Sequence, residues 1–262
     1  RTTIMRPETE PVGNPEKLRR NLQEIQARIG AAAARSGRSP ADVTLVAVTK
    51  EVDAGMASLL PEAGILDLGE NRIRGAEEKV ASTPAGIRWH MIGHLQRNKA
   101  QRALTIFSLI HSVDTGRLLT RLDTLAAGSE RKVAVLLQVN ISAEPQKHGV
   151  EPEALAGLLS RAADLPHVDI QGLMGMGPLT ADPETCRPLF RTLRELRDEA
   201  NDRARYRTPL RELSMGMTND FEVAVEEGAT LLRIGTALFA GLTPGETGTA
   251  DRASNRSASE ER

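Results

Sequence analysis

Short apolar segments of β type alternate along the chain with longer segments that carry apolar residues at helical spacing. The eight strand candidates are 43–48, 65–68, 88–92, 106–111, 133–139, 168–173, 211–213 and 231–234. Helical patterns lie between or after them at 53–62, 72–80, 95–104, 116–127, 152–163, 183–203 and 219–227. Such alternation is typical of parallel strands joined by helical crossovers. Eight units favour an α/β fold with a closed (β/α)8 barrel of the TIM type over an open, doubly wound sheet.

Two segments lie outside this alternation. An extra N-terminal helix is predicted at 14–34, because apolar residues recur there every three or four positions and Asn14-Pro15 is a typical helix start. The last segment, 243–262, is rich in Gly, Ser, Thr, Glu and Arg with almost no apolar residues, which predicts a disordered tail. The barrel domain is therefore expected at 14–242.

Composition agrees with one barrel and excludes several classes of protein. The chain has 262 residues, and a full barrel needs about 250. The formal net charge is −1 and the basic residues are scattered, so no face for nucleic acid is expected. Cys186 is the single cysteine, which excludes a disulfide framework. No apolar run reaches 18 residues, and no signal peptide is visible. We therefore expect a cytoplasmic protein without a membrane partner.

Lys50 is the first candidate for chemistry. It follows the apolar run 45–48, and the carboxyl ends of barrel strands form the active-site face of such enzymes. A lysine at that mouth loses part of its hydration, which favours the neutral, nucleophilic amine that forms Schiff bases with carbonyl compounds. Taken alone, Lys50 is better explained as an ordinary solvent-facing lysine at a strand end.

The loops after strands 7 and 8 are the second candidate. The first, 214–218, runs into the helix-capping pair Asn219-Asp220, and the second, 233–236, reads Arg-Ile-Gly-Thr. Glycines let backbone N–H groups approach an anion, and barrels often bind phosphate at these two loops. Ordinary glycine turns are the alternative for each loop. A reactive lysine facing a paired phosphate site describes a site for pyridoxal 5′-phosphate (PLP).

Several motifs then resemble one family in order along the chain. They are Val46–Lys50, Gly69–Asn71, Trp89–Lys99, Ser214–Thr218 and Arg233–Thr236. The chain is similar, over residues 14–242, to the pyridoxal phosphate homeostasis protein family, also described as proline synthetase co-transcribed homologues. That family's fold resembles the barrel domain of bacterial alanine racemase. Glu51 and Met91 depart from the residues common in the family, Thr and Phe.

The resemblance implies roles for eight residues. Lys50 would hold PLP as a Schiff base, the internal aldimine. Arg233 would face the pyridine nitrogen, Asn71 the ring or its hydroxyl, and His90 would line the floor of the site. The phosphate would be bound by Ser214, Gly216, Gly235 and Thr236.

The resemblance also implies PLP homeostasis, in which the protein buffers the cofactor or delivers it to apo PLP-dependent enzymes, as a monomer. The alternative is a racemase-like enzyme, but a racemase of this type uses Tyr as a second base. The single tyrosine, Tyr206, lies in a polar stretch and is expected to be a half-exposed packing residue, and Cys186 is expected to be inert. We therefore predict no catalytic residues. A barrel enzyme for another phosphorylated metabolite is a third reading.

Two further features are given ordinary roles. His90 and His94 suggest a metal pair, but Gly93 breaks the element between them and no carboxylate completes a helical metal motif, so no metal is expected. Lys147, in the loop after strand 5, is expected to be a solvated lysine, although transient contact with the cofactor is an alternative.

Overall fold

Eight parallel strands form a closed barrel in chain order, each hydrogen-bonded to the next and β8 to β1. The computed structural model describes residues 14–128, 132–144, 146, 148–178, 180 and 182–242. The strands are β1 Thr44–Val48, β2 Asp67–Glu70, β3 Arg88–Met91, β4 Leu109–Val113, β5 Val133–Gln138, β6 Val168–Met174, β7 Glu212–Ser214 and β8 Leu231–Ile234. The predicted (β/α)8 barrel is confirmed. The tail predicted at 243–262 lies outside the described residues.

Helices surround the strands on the outside of the barrel. They are α1 Pro15–Arg35, α2 Ala54–Glu62, α3 Ile73–Val80, α4 Ala100–Leu104, α5 Gly116–Ala126, α6 Leu155–Ala163, α7 Arg187–Asp202 and α8 Phe221–Glu226, with 3-10 turns at Pro40–Asp42, Arg97–Lys99, Pro152–Ala154 and Pro183–Cys186. Within the described ranges, none of these helices has the length and apolar character needed to cross a bilayer.

The extra helix α1 begins as the sequence predicts. The side chain of Asn14 accepts a hydrogen bond from the Lys17 amide at 2.9 Å, and proline occupies the first turn. Its apolar stripe, Leu18, Leu22, Ile25 and Ile29, is buried. Across from α8, Arg28 pairs with Glu222 and Arg35 pairs with Glu226, both at 2.6 Å. The helix thus extends the outer layer beside the last strand.

The core has two parts that follow from strand alternation. The larger part packs between the sheet and the helices, and the smaller fills the barrel interior with Val46, Leu109, Leu136, Met174 and Leu231. Polar side chains are also buried, and several of them converge inside the barrel: Asp67, His90, His111, Ser214 and Arg233. A buried polar side chain needs hydrogen-bond partners, so the contacts among these five residues determine how the site is built.

Several element boundaries differ from the prediction, and two strands and one helix illustrate the reason. β2 starts two residues later than predicted, because Ile65 still donates to the Leu60 carbonyl at the end of α2. β4 starts three residues later, because Phe107 donates to Ala103 in the last turn of α4. The helix predicted at 95–104 is α-helical only from Ala100. Apolar residues in these connections are buried like strand residues, so hydrophobicity alone does not mark where each element begins.

Candidate functional site

A cavity of about 780 Å³ opens at the carboxyl ends of the strands. Its wall includes five of the eight predicted site residues, Lys50, Asn71, Arg233, Gly235 and Thr236, beside apolar Met176, Met217 and Phe239. Smaller cavities of about 280 and 370 Å³ lie between α6 and α7 and near the amino ends of β6 and β7. The larger cavity has the location at which barrel proteins bind ligands and the volume of a small-molecule site.

Lys50 lies two residues beyond β1, and its side chain is exposed. The partial loss of hydration expected from the sequence is therefore not seen, because the strand ends before the lysine and the side chain emerges on the open side of the mouth. Lys50 is the one lysine among the described residues of the cavity wall. It is thus the primary amine that a carbonyl compound entering the cavity would meet.

The backbone before Lys50 is fixed by a buried network outside the barrel. The Thr49 amide donates to the Gly69 carbonyl at 3.0 Å, and its hydroxyl donates to Glu70 Oε1 at 2.7 Å. Lys79 of α3 donates to the Thr49 carbonyl at 2.6 Å and also pairs with Glu70. Both charged side chains are buried, so each depends on the other for its hydrogen bonds. The network fixes the main chain from which Lys50 projects.

Arg233 is a buried cation in the wall of the cavity. Its guanidinium donates to Ser214 Oγ at 2.5 Å and to the Gly175 carbonyl at 3.0 Å. Burial lowers the pKa of Arg233 to about 10, and the carboxylate of Asp220 opposes that shift. The side chain is therefore still charged at neutral pH, and it presents a fixed hydrogen-bond donor group toward the site.

A chain of hydrogen bonds runs from Arg233 through the barrel interior. His111 contacts Ser214 Oγ through Nδ1 at 2.8 Å and His90 through Nε2 at 2.9 Å. His90 Nε2 in turn contacts Asp67 Oδ1 at 3.0 Å. These contacts connect the cavity wall with the amino end of β2, where Asp67 also pairs with Arg88.

The charges along this chain determine its hydrogen positions. Burial, and then the nearby charges of His90 and Arg233, hold the pKa of His111 well below its usual value, so His111 is neutral. Burial acts to raise the pKa of Asp67, but hydrogen bonds from His90 and Arg88 outweigh it and lower that pKa. Because Arg233 only donates, the Ser214 hydroxyl donates to His111 Nδ1, and the neutral His111 then donates through Nε2 to His90 Nδ1.

Three of the eight predicted site residues do not line the cavity, and they contact Arg233 or belong to this chain of hydrogen bonds instead. Ser214 is fully buried and its hydroxyl is engaged by Arg233 and His111. His90 lies inside the barrel between Asp67 and His111, below the cavity wall. Gly216 is buried, and its carbonyl accepts from the Arg233 amide at 3.0 Å. All three act on Arg233 directly or through the chain, and their contacts with a cofactor stay predictions.

The loops after β7 and β8 supply amide donors at the cavity. Thr218, Asn219, Gly235 and Thr236 line it, and in the described part of the chain their amide N–H groups have no hydrogen-bond partner. A Cβ on Gly235 would lie 3.0 Å from the Val48 carbonyl oxygen, so β1 packs directly against this loop. Free amides grouped at neighbouring strand ends are suited to an anion such as a phosphate, and their contact with the cofactor's phosphate stays a prediction.

The remaining candidates are also located. Tyr206 is buried rather than half-exposed, because its hydroxyl donates to the Val168 carbonyl and accepts from the Ile170 amide near the amino end of β6. Cys186 is buried in a 3-10 turn beneath Pro178. Asn71 is half-buried in the cavity wall after β2. Lys147 lies outside the described residues.

One grouping was missed by the sequence analysis. His94 after β3, Asp114 after β4 and His148 after β5 offer nitrogen and oxygen atoms that all lie within 4.8 Å of one another. His90, which is close to His94 in sequence and suggested a metal pair with it, lies inside the barrel. The carboxyl ends of adjacent parallel strands meet at one face, and that rule was the available signal for this group.

The chain matches known proteins over nearly all the described residues. Residues 14–244 match the family model for the alanine racemase N-terminal domain. A pyridoxal phosphate homeostasis protein of Aquifex aeolicus is 40% identical over 225 residues, 86% of this chain and 96% of that protein. The protein of that name from Pseudomonas aeruginosa is 38% identical over 222 residues, 84% and 93% of the two chains. The structure of PipY from Synechococcus elongatus with PLP bound aligns with a TM-score of 0.73 at 33% identity, covering 85% of this chain and 99% of PipY.

Proposed function

Because the chain belongs to the pyridoxal phosphate homeostasis proteins of the alanine racemase N-terminal domain family, we propose that it binds PLP reversibly through Lys50 and buffers or delivers it. The observation that carries the proposal is one cavity with three matching parts. An exposed lysine, a buried arginine and free loop amides all belong to its wall. The lysine binds the aldehyde of PLP, the arginine binds its pyridine nitrogen, and the loop amides bind its phosphate.

The covalent step needs only Lys50 and water. The neutral amine attacks the aldehyde carbon, a C=N bond forms and one water molecule leaves. Addition of water reverses the step and returns the free lysine. The exposure of Lys50 on the open side of the mouth supports such exchange, since water reaches the linkage. The anchored Thr49 backbone keeps the main chain from which the amine projects at the same position in each cycle.

Bound PLP acts as an electron sink that stabilises a carbanion. Arg233 limits this chemistry. A guanidinium that stays charged cannot pass a proton to the pyridine nitrogen, so the ring remains a weak sink. The bonds to Ser214 and Gly175 hold Arg233 in that role. In addition, the Tyr206 hydroxyl is bonded to the backbone of β6 near its amino end. The racemase-type site resembles this one, so Arg233 is compatible with both activities. The placement of Tyr206 is the feature that supports cofactor carriage over racemisation.

The test compares Lys50→Ala with Lys99→Ala, which removes another exposed lysine outside the cavity wall. On titration with PLP, wild type and Lys99→Ala should gain the absorbance of a Schiff base that borohydride removes, and Lys50→Ala should not. The loaded protein should also restore activity to an apo PLP-dependent enzyme. The same absorbance in Lys50→Ala would refute the assignment. Turnover of amino acids by wild type, lost in Lys50→Ala, would favour the racemase-like alternative.

We further propose that the carrier works as a monomer, because the cavity wall of one chain already combines a lysine, an arginine and free loop amides. Light scattering during gel filtration should give the mass of one chain, 28.3 kDa, with and without PLP. A stable dimer at micromolar concentration would contradict this.

A further inference from the structure

Three metal-ligating side chains meet beside the cavity. The His94 and His148 rings stack with centroids 4.1 Å apart and planes 11° from parallel, and His94 Nδ1 lies 3.9 Å from Asp114 Oδ2. Among the described residues, this is the one group of three histidine, cysteine or acidic side chains that converges so closely. Within those residues, none of the three belongs to the cavity wall. The group is therefore separate from the proposed cofactor site.

The backbone on both sides of the group is fixed from beneath. Buried Ser112 of β4 donates to the Gly93 carbonyl at 2.6 Å, directly before His94. Buried Gln138 of β5 donates to the His148 carbonyl at 3.0 Å. Gly93 also packs against the Asn71 main chain, where a Cβ would lie 2.3 Å from the carbonyl oxygen. Two strands thus hold the main chain at both histidines and leave their ring nitrogens unused.

We propose that His94, Asp114 and His148 bind a divalent transition-metal ion of the Zn²⁺ class. Two imidazoles and one carboxylate are a ligand set that suits zinc, and three protein ligands leave a fourth position for water or an added ligand. Tetrahedral zinc with bonds of about 2.0–2.1 Å needs ligand atoms about 3.3 Å apart. The present spread, within 4.8 Å, closes by side-chain rotation. Both histidines are exposed and free to rotate, whereas Asp114 is mostly buried.

The ion would join the segments after three neighbouring strands. His94, Asp114 and His148 follow β3, β4 and β5, the side of the barrel mouth opposite the loops of β7 and β8. An ion here replaces the loose His94–Asp114 contact with two short bonds and fixes the loop that carries His148.

The test uses untagged full-length protein, stripped with a chelator and titrated with zinc sulfate against a chromophoric chelator. Wild type should bind one zinc ion per chain. His148→Gln and Asp114→Asn should each weaken binding by more than about 100-fold, beyond the loss typical of removing an outer partner. His167→Gln is the matched control, since His167 faces the single carboxylate of Asp123 at 3.3 Å, and it should bind like wild type.

Chemical denaturation of each variant verifies that it is folded, and cobalt substitution gives a second readout, since a four-coordinate site produces intense visible bands. Lys50→Ala should retain zinc, which separates this proposal from the cofactor assignment. Absence of stoichiometric zinc in folded wild type would overturn the proposal. Equal binding by wild type, His148→Gln and Asp114→Asn would overturn it as well.

Discussion

Single residues at the site are held by partners on other elements. Thr49, directly before Lys50, is bonded to β2 and to Lys79 of α3, and Arg233 is bonded to β7 and to the segment after β6. Each anchoring group is buried, where an unpaired charge or donor is costly. The reactive lysine itself is exposed. Under the proposed function, this division would let the cofactor exchange at Lys50 while the buried groups stay fixed.

The ion pair of Lys79 with Glu70 gives the first prediction. Lys79→Met leaves the buried Glu70 charge without its partner, and we expect a loss of about 3–5 kcal/mol in the free energy of unfolding. Formation of the PLP linkage should also slow, because Thr49 loses a bond next to Lys50. Urea denaturation and stopped-flow absorbance measure the two effects.

Arg74→Ala, on the same helix, is the matched control. The Arg74–Glu78 pair is exposed, with 88% and 62% of the side chains accessible, so its loss should change neither measurement. If Arg74→Ala and Lys79→Met behaved alike, the buried network would have no special role.

His111 gives the second prediction, a dependence of stability on pH. Its pKa is held well below 6.5 in the folded protein, so the unfolded chain takes up a proton first as the pH falls. The contribution to stability is complete above pH 6.5 and is lost below it, by up to about 1.4 kcal/mol per pH unit. Urea denaturation between pH 5 and 7 should show this slope reduced in His111→Gln. An unchanged slope in that variant would mean that His111 is not the group responsible.

At the scale of elements, the loop after β7 depends on close packing against α8. Gly216 has φ of 92°, and a Cβ there would lie 2.6 Å from the Ala224 Cβ. Gly216→Ala should therefore lower stability by about 1–3 kcal/mol and weaken PLP binding through the displaced loop. Thermal unfolding and PLP titration measure both.

Gly157→Ala provides a control of opposite sign. Gly157 lies within α6, is exposed and has open space around its Cβ position. Alanine there should raise stability by about 0.5–1 kcal/mol and leave PLP binding unchanged. A loss of binding in Gly157→Ala would mean that helix substitutions far from the loop disturb the site.

The order of elements was predictable from sequence, and the contacts between them were only partly so. Alternating patterns located all eight strands, because most of these parallel strands are rich in apolar residues and are separated by amphipathic helices. The boundaries of β2 and β4 were not predictable, since buried turn residues extend the apolar runs. The roles of Ser214 and His90 in supporting Arg233 were missed, because they arise from packing across strands remote in sequence.

At the scale of the whole molecule, the residues that stabilise the barrel and the residues that line the cavity lie in different places. Its interior carries the apolar cluster and the polar chain from Asp67 to Arg233, and its carboxyl end carries the cavity. Helix α1 and α8 pack together beside β8, near the loop that offers free amides. Binding of PLP at the mouth therefore needs no rearrangement of the core, which suits a protein that loads and releases a cofactor repeatedly.

Locating the bound cofactor on the chain tests most directly whether Lys50 holds PLP. The protein loaded with PLP is reduced with borohydride, digested, and mapped by mass spectrometry. We expect one reduced PLP group per chain, on the peptide that contains Lys50. Modification of a different lysine, such as Lys147, with Lys50 left unmodified would contradict it.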